Sequence, residues 1–267
     1  MAKAKQMYQC AACKATTPTW MGKCSSCGEW DSLALQASEQ SATTPNAAAN
    51  FAARVNEFGG EAEAIKILEI DAPAIGRMST GINELDRVLG GGLVLGSVVL
   101  IAGDPGIGKS TLMMQAAIGA ARGGGRVLYA TSEESAYQCK LRAERLLAHE
   151  DVAEDGLDGL YVLADTDLAR ITEQVLDIRP ELLVIDSIQM VYRNDSESAP
   201  GSVSQIRRCC LELVYLARQL HMPVMIVGHV TKDGQIAGPR VLEHLVDVVL
   251  NFEGDRHYAL RGLRGAK

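Results

Sequence analysis

Ser97-Val-Val-Leu-Ile-Ala-Gly-Asp-Pro-Gly-Ile-Gly-Lys-Ser-Thr111 is the stretch on which the reading of this 267-residue chain turns. Its first half is a β-branched, apolar run of strand length. Its second half, Gly103 to Ser110, satisfies G-x-x-x-x-G-K-[ST] in full, and helical spacing follows it, which is the context such a loop requires. Gly103, Gly106 and Gly108 allow a tight curl that aims backbone amides and the positive end of the next helix at phosphate oxygens. Gly103, Asp104, Pro105, Gly106, Ile107, Gly108, Lys109, Ser110 and Thr111 therefore form the candidate nucleotide cradle. In it Lys109 would reach the β- and γ-phosphates, Ser110 would hold Mg²⁺ and Thr111 would touch the α-phosphate.

Outward from this loop, short apolar runs alternate with helical patterns. Strands are predicted at 97–103, 126–132, 160–165, 182–188 and 223–230, and helices at about 109–122, 135–149, 167–178 and 203–220. Nearly continuous apolar strands imply helices on both faces, hence an α/β fold with a doubly wound, mostly parallel sheet. The runs at 247–253 and 258–264, joined by GDRH, predict an antiparallel hairpin at the sheet edge.

A metal-bound triphosphate also needs carboxylates at neighbouring strand ends. The run PELLVIDS predicts Asp186 as the second Mg²⁺ ligand. RVLYATS leads directly into Glu133-Glu134, and one of these would orient or deprotonate water; Glu133, nearer the strand end, is preferred. In the alternative reading both are first-turn acids favoured by the dipole of the next helix. Lys109, Glu133 and Asp186 are thus the catalytic candidates. His229, at the end of the fifth strand, is a candidate phosphate sensor or a solvated loop histidine.

Cys10-x2-Cys13 and Cys24-x2-Cys27 present four soft thiolates on two tight knuckles, the pattern of a closed, structural, tetrahedral Zn²⁺ site. So small a head, residues 1–30, cannot bury a core and would take most of its folding free energy from the metal. Trp20 and Trp30 flank the second knuckle and are expected mainly to pack over the zinc loop. Residues 31–75 are Ala/Ser/Thr/Asn-rich without a sustained apolar period and read as a linker, with one short strand possible at Ala64–Ile70. Residues 76–267 form the nucleotide-binding domain. Cys139, Cys209 and Cys210 lack partner spacing and are expected to be reduced packing thiols.

The net charge of −7 excludes a globally basic nucleic-acid coat, so any polyanion must meet a local patch. Leu93–Ala102, the longest apolar stretch, is roughly half the ~20 residues a membrane span needs. The N-terminus lacks the apolar segment of a secretory signal, and a cytoplasmic location is expected.

Taken together, TWMGKCSSCGEW, RMSTGINELDRVLGGGLVLGSVVLIAGDPGIGKST, TSEES, LLVIDSIQ, SAPGSVSQIR and GHVTKDGQIAGPRVLEHLVD closely resemble the bacterial RadA (Sms) family, whose members are RecA-like ATPases of recombinational DNA repair. The resemblance covers the head and nearly the whole ATPase region. It implies a RecA-like P-loop core, ATP as nucleotide, a homohexameric ring on single-stranded and branched DNA, and DnaB-like branch migration, with RecA recombinase as a partner. Lys109, Ser110, Glu133 and Asp186 carry over by motif. The loops at 190–208 and 231–240 fit DNA contact, with Arg207, Arg208, Lys232 and Arg240 as the cations; phosphate contacts of this kind are sequence-independent and salt-sensitive. In that family the chain continues through a Lys-Asn-Arg-Phe-Gly signature into a Lon-protease-like domain, of which Lys267 matches only the first signature residue. Reduced hydrolysis and little helicase activity are therefore expected of residues 1–267 alone. The alternative is an ATP-gated adaptor that recruits repair partners without motor work.

Overall fold

A computed structural model describes residues 8–13, 15–17, 21–30, 33–35, 66–69, 76–148, 157–196, 198–229, 239–254 and 260–267. The chain divides into two compact units, Met1–Glu57 and Phe58–Lys267.

In the first unit β1 (Tyr8–Cys10) pairs antiparallel with β2 (Thr16–Thr17) and with β3 (Leu33–Leu35). The third strand lies beyond residue 30, inside the stretch read as linker. Three residues are too few to show an apolar period, yet a two- or three-residue hairpin needs a third strand to persist.

The second unit is a three-layer α/β structure. Its described elements begin with a single 3-10 turn at Ile67–Glu69, where the sequence suggested a strand. Ile67 and Leu68 are 80% and 96% exposed. Alternating apolar residues make a strand only when one face is buried, and here neither is. There follow β4 (Arg77–Met78), α1 (Asn83–Val88), β5 (Leu93–Val94), β6 (Val98–Gly103), α2 (Lys109–Arg122), β7 (Val127–Thr131) and α3 (Ala136–Leu147). Then come β8 (Leu160–Ala164), α4 (Leu168–Ile178), β9 (Leu182–Asp186), α5 (Val203–Leu220), β10 (Val224–His229), α6 (Pro239–Leu242), β11 (Val248–Gly254) and β12 (Arg261–Gly265).

The main sheet runs β12-β11-β6-β10-β9-β7-β8, parallel throughout except for the antiparallel β11–β12 pair. The doubly wound sheet and the edge hairpin are as the sequence predicts. Period-two alternation splits each central strand between two cores. Val98, Leu100, Leu128, Ala130, Leu183, Ile185, Val224 and Ile226 join Leu168 and Ile171 of α4 and Leu213 of α5 on one face. Val99, Ile101, Val127, Tyr129, Leu182, Val184, Met225 and Val227 join Met113 and Met114 of α2 and Cys139 of α3 on the other. A one-residue slip would exchange the faces of a whole strand, so the register is firmly specified. Cys139, Cys209 and Cys210 are buried and unbridged, and burial pushes the last two thiols up to about 12.

Before the main sheet, Asp86 of α1 anchors the entering turn. It accepts from Ser79 Oγ at 2.6 Å, Thr80 N at 2.9 Å and Thr80 Oγ1 at 2.7 Å, and Thr80 is fully buried. Asp86→Ala leaves two donors of a buried residue without their acceptor. A loss of about 1–3 kcal/mol in urea unfolding is expected, with Asp86→Asn less affected.

Candidate active site and metal centre

The loop from Gly103 to Gly108 links β6 to α2 at the carboxyl edge of the sheet. Gly103 is packed so closely that an added Cβ would fall on the Phe252 carbonyl, and Gly108 caps α2 at φ 111°, a left-handed conformation that other residues avoid. No side chain caps this helix and its first turn has no acid, so its amide donors face outward into the loop, the arrangement that favours an anion. Lys109 is buried and donates to Gly103 O at 2.8 Å and Asp104 O at 2.9 Å. Burial draws its pKa below the ordinary lysine value, against the opposing pull of Asp186, Glu133 and Asp104.

Asp186 ends β9 and is buried; its Oδ2 accepts from the Tyr129 hydroxyl at 2.6 Å. Tyr129 in turn is raised well above an ordinary phenol, first by burial and then by the Asp186 charge, so it stays a donor. Beyond β7, Ser132 and Ser187 zip two strand ends together. Ser132 N donates to Asp186 O at 2.8 Å, Ser187 N to Ser132 Oγ at 2.9 Å, and Ser132 Oγ to Ser187 O at 2.9 Å. This clasp presents Ser187 Oγ to Glu133 Oε1 at 2.5 Å, and His229 Nε2 lies 3.1 Å from the same oxygen.

The two adjacent glutamates are thereby given different surroundings. Ser135 is the N-cap of α3 and forms a capping box with Gln138, so neither glutamate lies in the helix's first turn. Glu134 is held by Arg142, which partly buries both groups. Glu133 is left facing Ser187, His229 and Lys109. Burial works to raise its pKa, but the hydrogen bonds from Ser187 and His229 and the nearby cations outweigh this and hold it below the usual glutamate value.

In the head, Cys10, Cys13, Cys24 and Cys27 bring their sulfurs within 4.8 Å of one another. Cys10–Cys27 and Cys13–Cys24 are each 3.6 Å apart. Four sulfurs at about 2.3 Å from a tetrahedral Zn²⁺ would stand roughly 3.8 Å from each other, so the donor set fits that ion. The backbone N–H groups of Cys27 and Ser26 hold the Cys24 thiol below its usual range, while Cys27, against the pull of the Glu29 N–H, is pushed up to about 12 by Cys13, burial, Cys10 and Cys24. Trp30 does not pack over the knuckle as expected: it is 72% exposed, with Lys23 Nζ 5.4 Å from its ring centre. A ring this exposed gains from a cation stacked on its face. Trp20 lies outside the described residues.

Comparison with known proteins accords with both sites. The AAA domain family matches residues 65–235, and the rubredoxin metal binding domain matches residues 8–34. The chain belongs to the AAA domain family. The resemblance to RadA extends over all of it. It is 44% identical to the DNA repair protein RadA of Bacillus subtilis (strain 168), and 46% to that of Listeria monocytogenes serovar 1/2a, in each case over 100% of this chain and 56% of the relative. RadA of Mycobacterium tuberculosis (strain H37Rv) is 42% identical over 100% of this chain and 53% of its own length. The chain thus spans about half the length of these curated relatives. Among its described residues no helix is long and apolar enough to cross a membrane.

Of the four cations predicted to meet DNA, the structure separates two. Arg207 on α5 is exposed. Arg208 is drawn into a closed charge network, 3.1 Å from Asp195 and 3.2 Å from Glu212, which it shares with Arg193 at 3.1 and 3.5 Å. Two carboxylates balance two arginines, so Arg208 offers little net charge to a phosphate. Lys232 lies outside the described residues, and Arg240 falls in α6 with its side chain undescribed. Sequence reasoning missed Tyr129, Ser132, Ser187 and Arg193. Tyr129, Ser132 and Ser187 gain their partners across the sheet, and Arg193 joins the nearby Asp195 to Glu212 of α5; only the polar tyrosine inside an apolar strand was a legible signal.

Both tryptophans of the chain, Trp20 and Trp30, belong to the head, so their fluorescence reports that unit alone. Cys24→Ser, or removal of metal by a strong chelator, should release about one Zn²⁺ per chain and shift tryptophan emission to that of the unfolded head. Metal analysis and emission spectra check this.

Proposed function

We propose that this chain is a DNA-stimulated ATP hydrolase of recombinational DNA repair. The observation that carries the reading is the Glu133 carboxylate, set between Ser187 and His229 two residues beyond β7, at the same sheet edge as the phosphate-binding loop. The loop amides and Lys109 bind the phosphates, Lys109 exchanging its two carbonyl partners for phosphate oxygens. Ser110 and Asp186 are the residues that would hold Mg²⁺, which when bound neutralises charge developing on the phosphate oxygens. Tyr129 fixes the Asp186 carboxylate for that task. Glu133 orients the attacking water and takes its proton, and Ser187 holds the glutamate in place. His229, joined to Glu133 and paired in register with Gly103, is suited to sense the terminal phosphate.

For DNA, the exposed Arg207 offers a cation despite the net charge of −7, and the sequence adds Lys232 and Arg240 as further candidates. A ring multiplies each such cation by its subunit number. The relatives' name supports DNA repair, and the proposal carries over from the family resemblance single-stranded and branched DNA as the partner, a homohexamer, branch migration by a DnaB-like helicase and association with RecA recombinase. The exposed Trp30 and its stacked Lys23 favour a second reading, in which ATP gates an adaptor whose zinc head recruits a repair partner.

Steady-state hydrolysis with and without single-stranded DNA tests the proposal. Lys109→Ala should abolish nucleotide binding, whereas Glu133→Gln should keep binding and lose about 10²–10⁴-fold in rate. Glu134→Gln should instead lower thermal stability, because it strips Arg142 of its charge partner. Hydrolysis that survives Glu133→Gln would exclude Glu133 as the base. In Glu133→Gln a motor should lose branch migration, whereas an adaptor should keep its ATP-dependent partner binding.

The pH profile offers a separate check. Because Glu133 is held below the ordinary glutamate value, it loses its charge only as pH falls through that lowered value. The acid limb of kcat/KM due to this group should therefore lie below the ordinary glutamate range, leaving no glutamate limb near neutral pH.

A further inference from the structure

The ATPase unit sets one cation against the phosphate-binding loop that the loop motif does not contain. Arg261 opens β12, which is joined to β6 through β11. The sheet gives this position a definite side. Gly103, at the start of the loop, pairs with His229 of β10 on one flank and with Phe252 of β11 on the other. His229 leads to Glu133, so that flank is the hydrolytic one. Phe252, Gly254 and Arg261 occupy the opposite flank.

The contacts of this hairpin with the loop are close. A Cβ added at Gly108 would lie 2.9 Å from Arg261 Nη1, 3.5 Å from its Cζ and 3.8 Å from Phe252 Cε1. The Ile107 side chain occupies the place a Cβ on Gly254 would take. The guanidinium therefore rests against Gly108, the residue that caps α2 and precedes Lys109, at the positive end of that helix. A cation at a helix N-terminus is unfavourable unless an anion joins it. Asp104 is the single carboxylate of the loop, and among the described residues Arg261 forms no ion pair. Arg264, on the same strand, does have a carboxylate, Glu253 at 3.0 Å.

We propose that Arg261 is a phosphate-binding residue of the nucleotide site, contacting the α-phosphate where the nucleoside leaves the loop on the flank away from Glu133. The proposal rests on the nucleotide reading above. The loop amides take the middle of the triphosphate and Glu133 marks its terminal end, so the opposite flank receives the α-phosphate. Five N–H donors in a planar fork suit this task, and a guanidinium keeps its charge beside a helix N-terminus where an ammonium is readily discharged.

The test is titration calorimetry of the 267-residue chain with Mg-ATP, Mg-ADP and Mg-tripolyphosphate, for wild type, Arg261→Ala and Arg261→Lys. The α-phosphate is common to ATP and ADP, and tripolyphosphate has a phosphate in its place. Arg261→Ala should weaken all three by a similar factor, roughly tenfold to a hundredfold, with Arg261→Lys recovering part of it. Arg261→Gln gives the same contrast should the alanine variant fail to fold. Unchanged affinities would overturn the proposal. So would a loss confined to ATP, which moves the contact to the γ-phosphate, or a loss that spares tripolyphosphate, which moves it to the nucleoside. If the wild type binds no nucleotide while Lys109→Ala behaves identically, the nucleotide reading itself falls and this inference with it.

Discussion

Because β6, β7, β9 and β10 run parallel, their carboxyl ends deliver Gly103, Thr131, Asp186 and His229 to one edge of the sheet. The pairing is tight in register: His229 stands beside Gly103 and Thr131 beside Asp186. Residues far apart in sequence then become neighbours through interstrand spacing alone, ~4.8 Å per step. Apolar side chains packed on both faces hold that register, since any slip would turn core residues of one face into the other. The site's accuracy is thus a by-product of core packing rather than of the loops themselves.

Two buried charges at this edge, Lys109 and Asp186, find partners within the chain. Lys109 and Asp186 are both buried, and an unpartnered buried charge would be costly. The lysine is bonded to two loop carbonyls, and the aspartate takes a phenolic donor from the neighbouring strand. The same economy explains the split between the adjacent glutamates. Arg142 consumes Glu134, while Glu133 keeps one flank open toward the loop, steadied by a hydroxyl and an imidazole. Past β9, the Arg193–Asp195–Arg208–Glu212 network and the buried Gln205, bonded to Arg193 N and O, pin the segment that leads into α5.

The head follows a different logic. Among its described residues Tyr8 alone packs around Cys10 and Cys24, and four sulfurs within 4.8 Å of one another stand where an apolar core would. Trp30 stays largely in solvent, with the Lys23 ammonium over its ring.

Much of the chain was legible before any coordinates. The glycine spacing of the loop, the apolar runs of the strands and the paired cysteines each encode a local requirement, a left-handed turn, a two-sided core or a tetrahedral ion, that few other residues meet. Asp186 was readable because strand and carboxylate are contiguous. What the sequence could not carry was pairing across elements: Tyr129 with Asp186, Ser187 with Glu133, Arg208 with Asp195 and Glu212, Arg261 against Gly108. Nor could it show that Leu33–Leu35 completes a sheet or that Ile67 and Leu68 stay exposed, since a strand exists only where a partner lies beside it. Local chemistry is written in spacing along the chain, whereas the choice among identical side chains, one glutamate or one arginine over its neighbour, depends on what the fold brings opposite each.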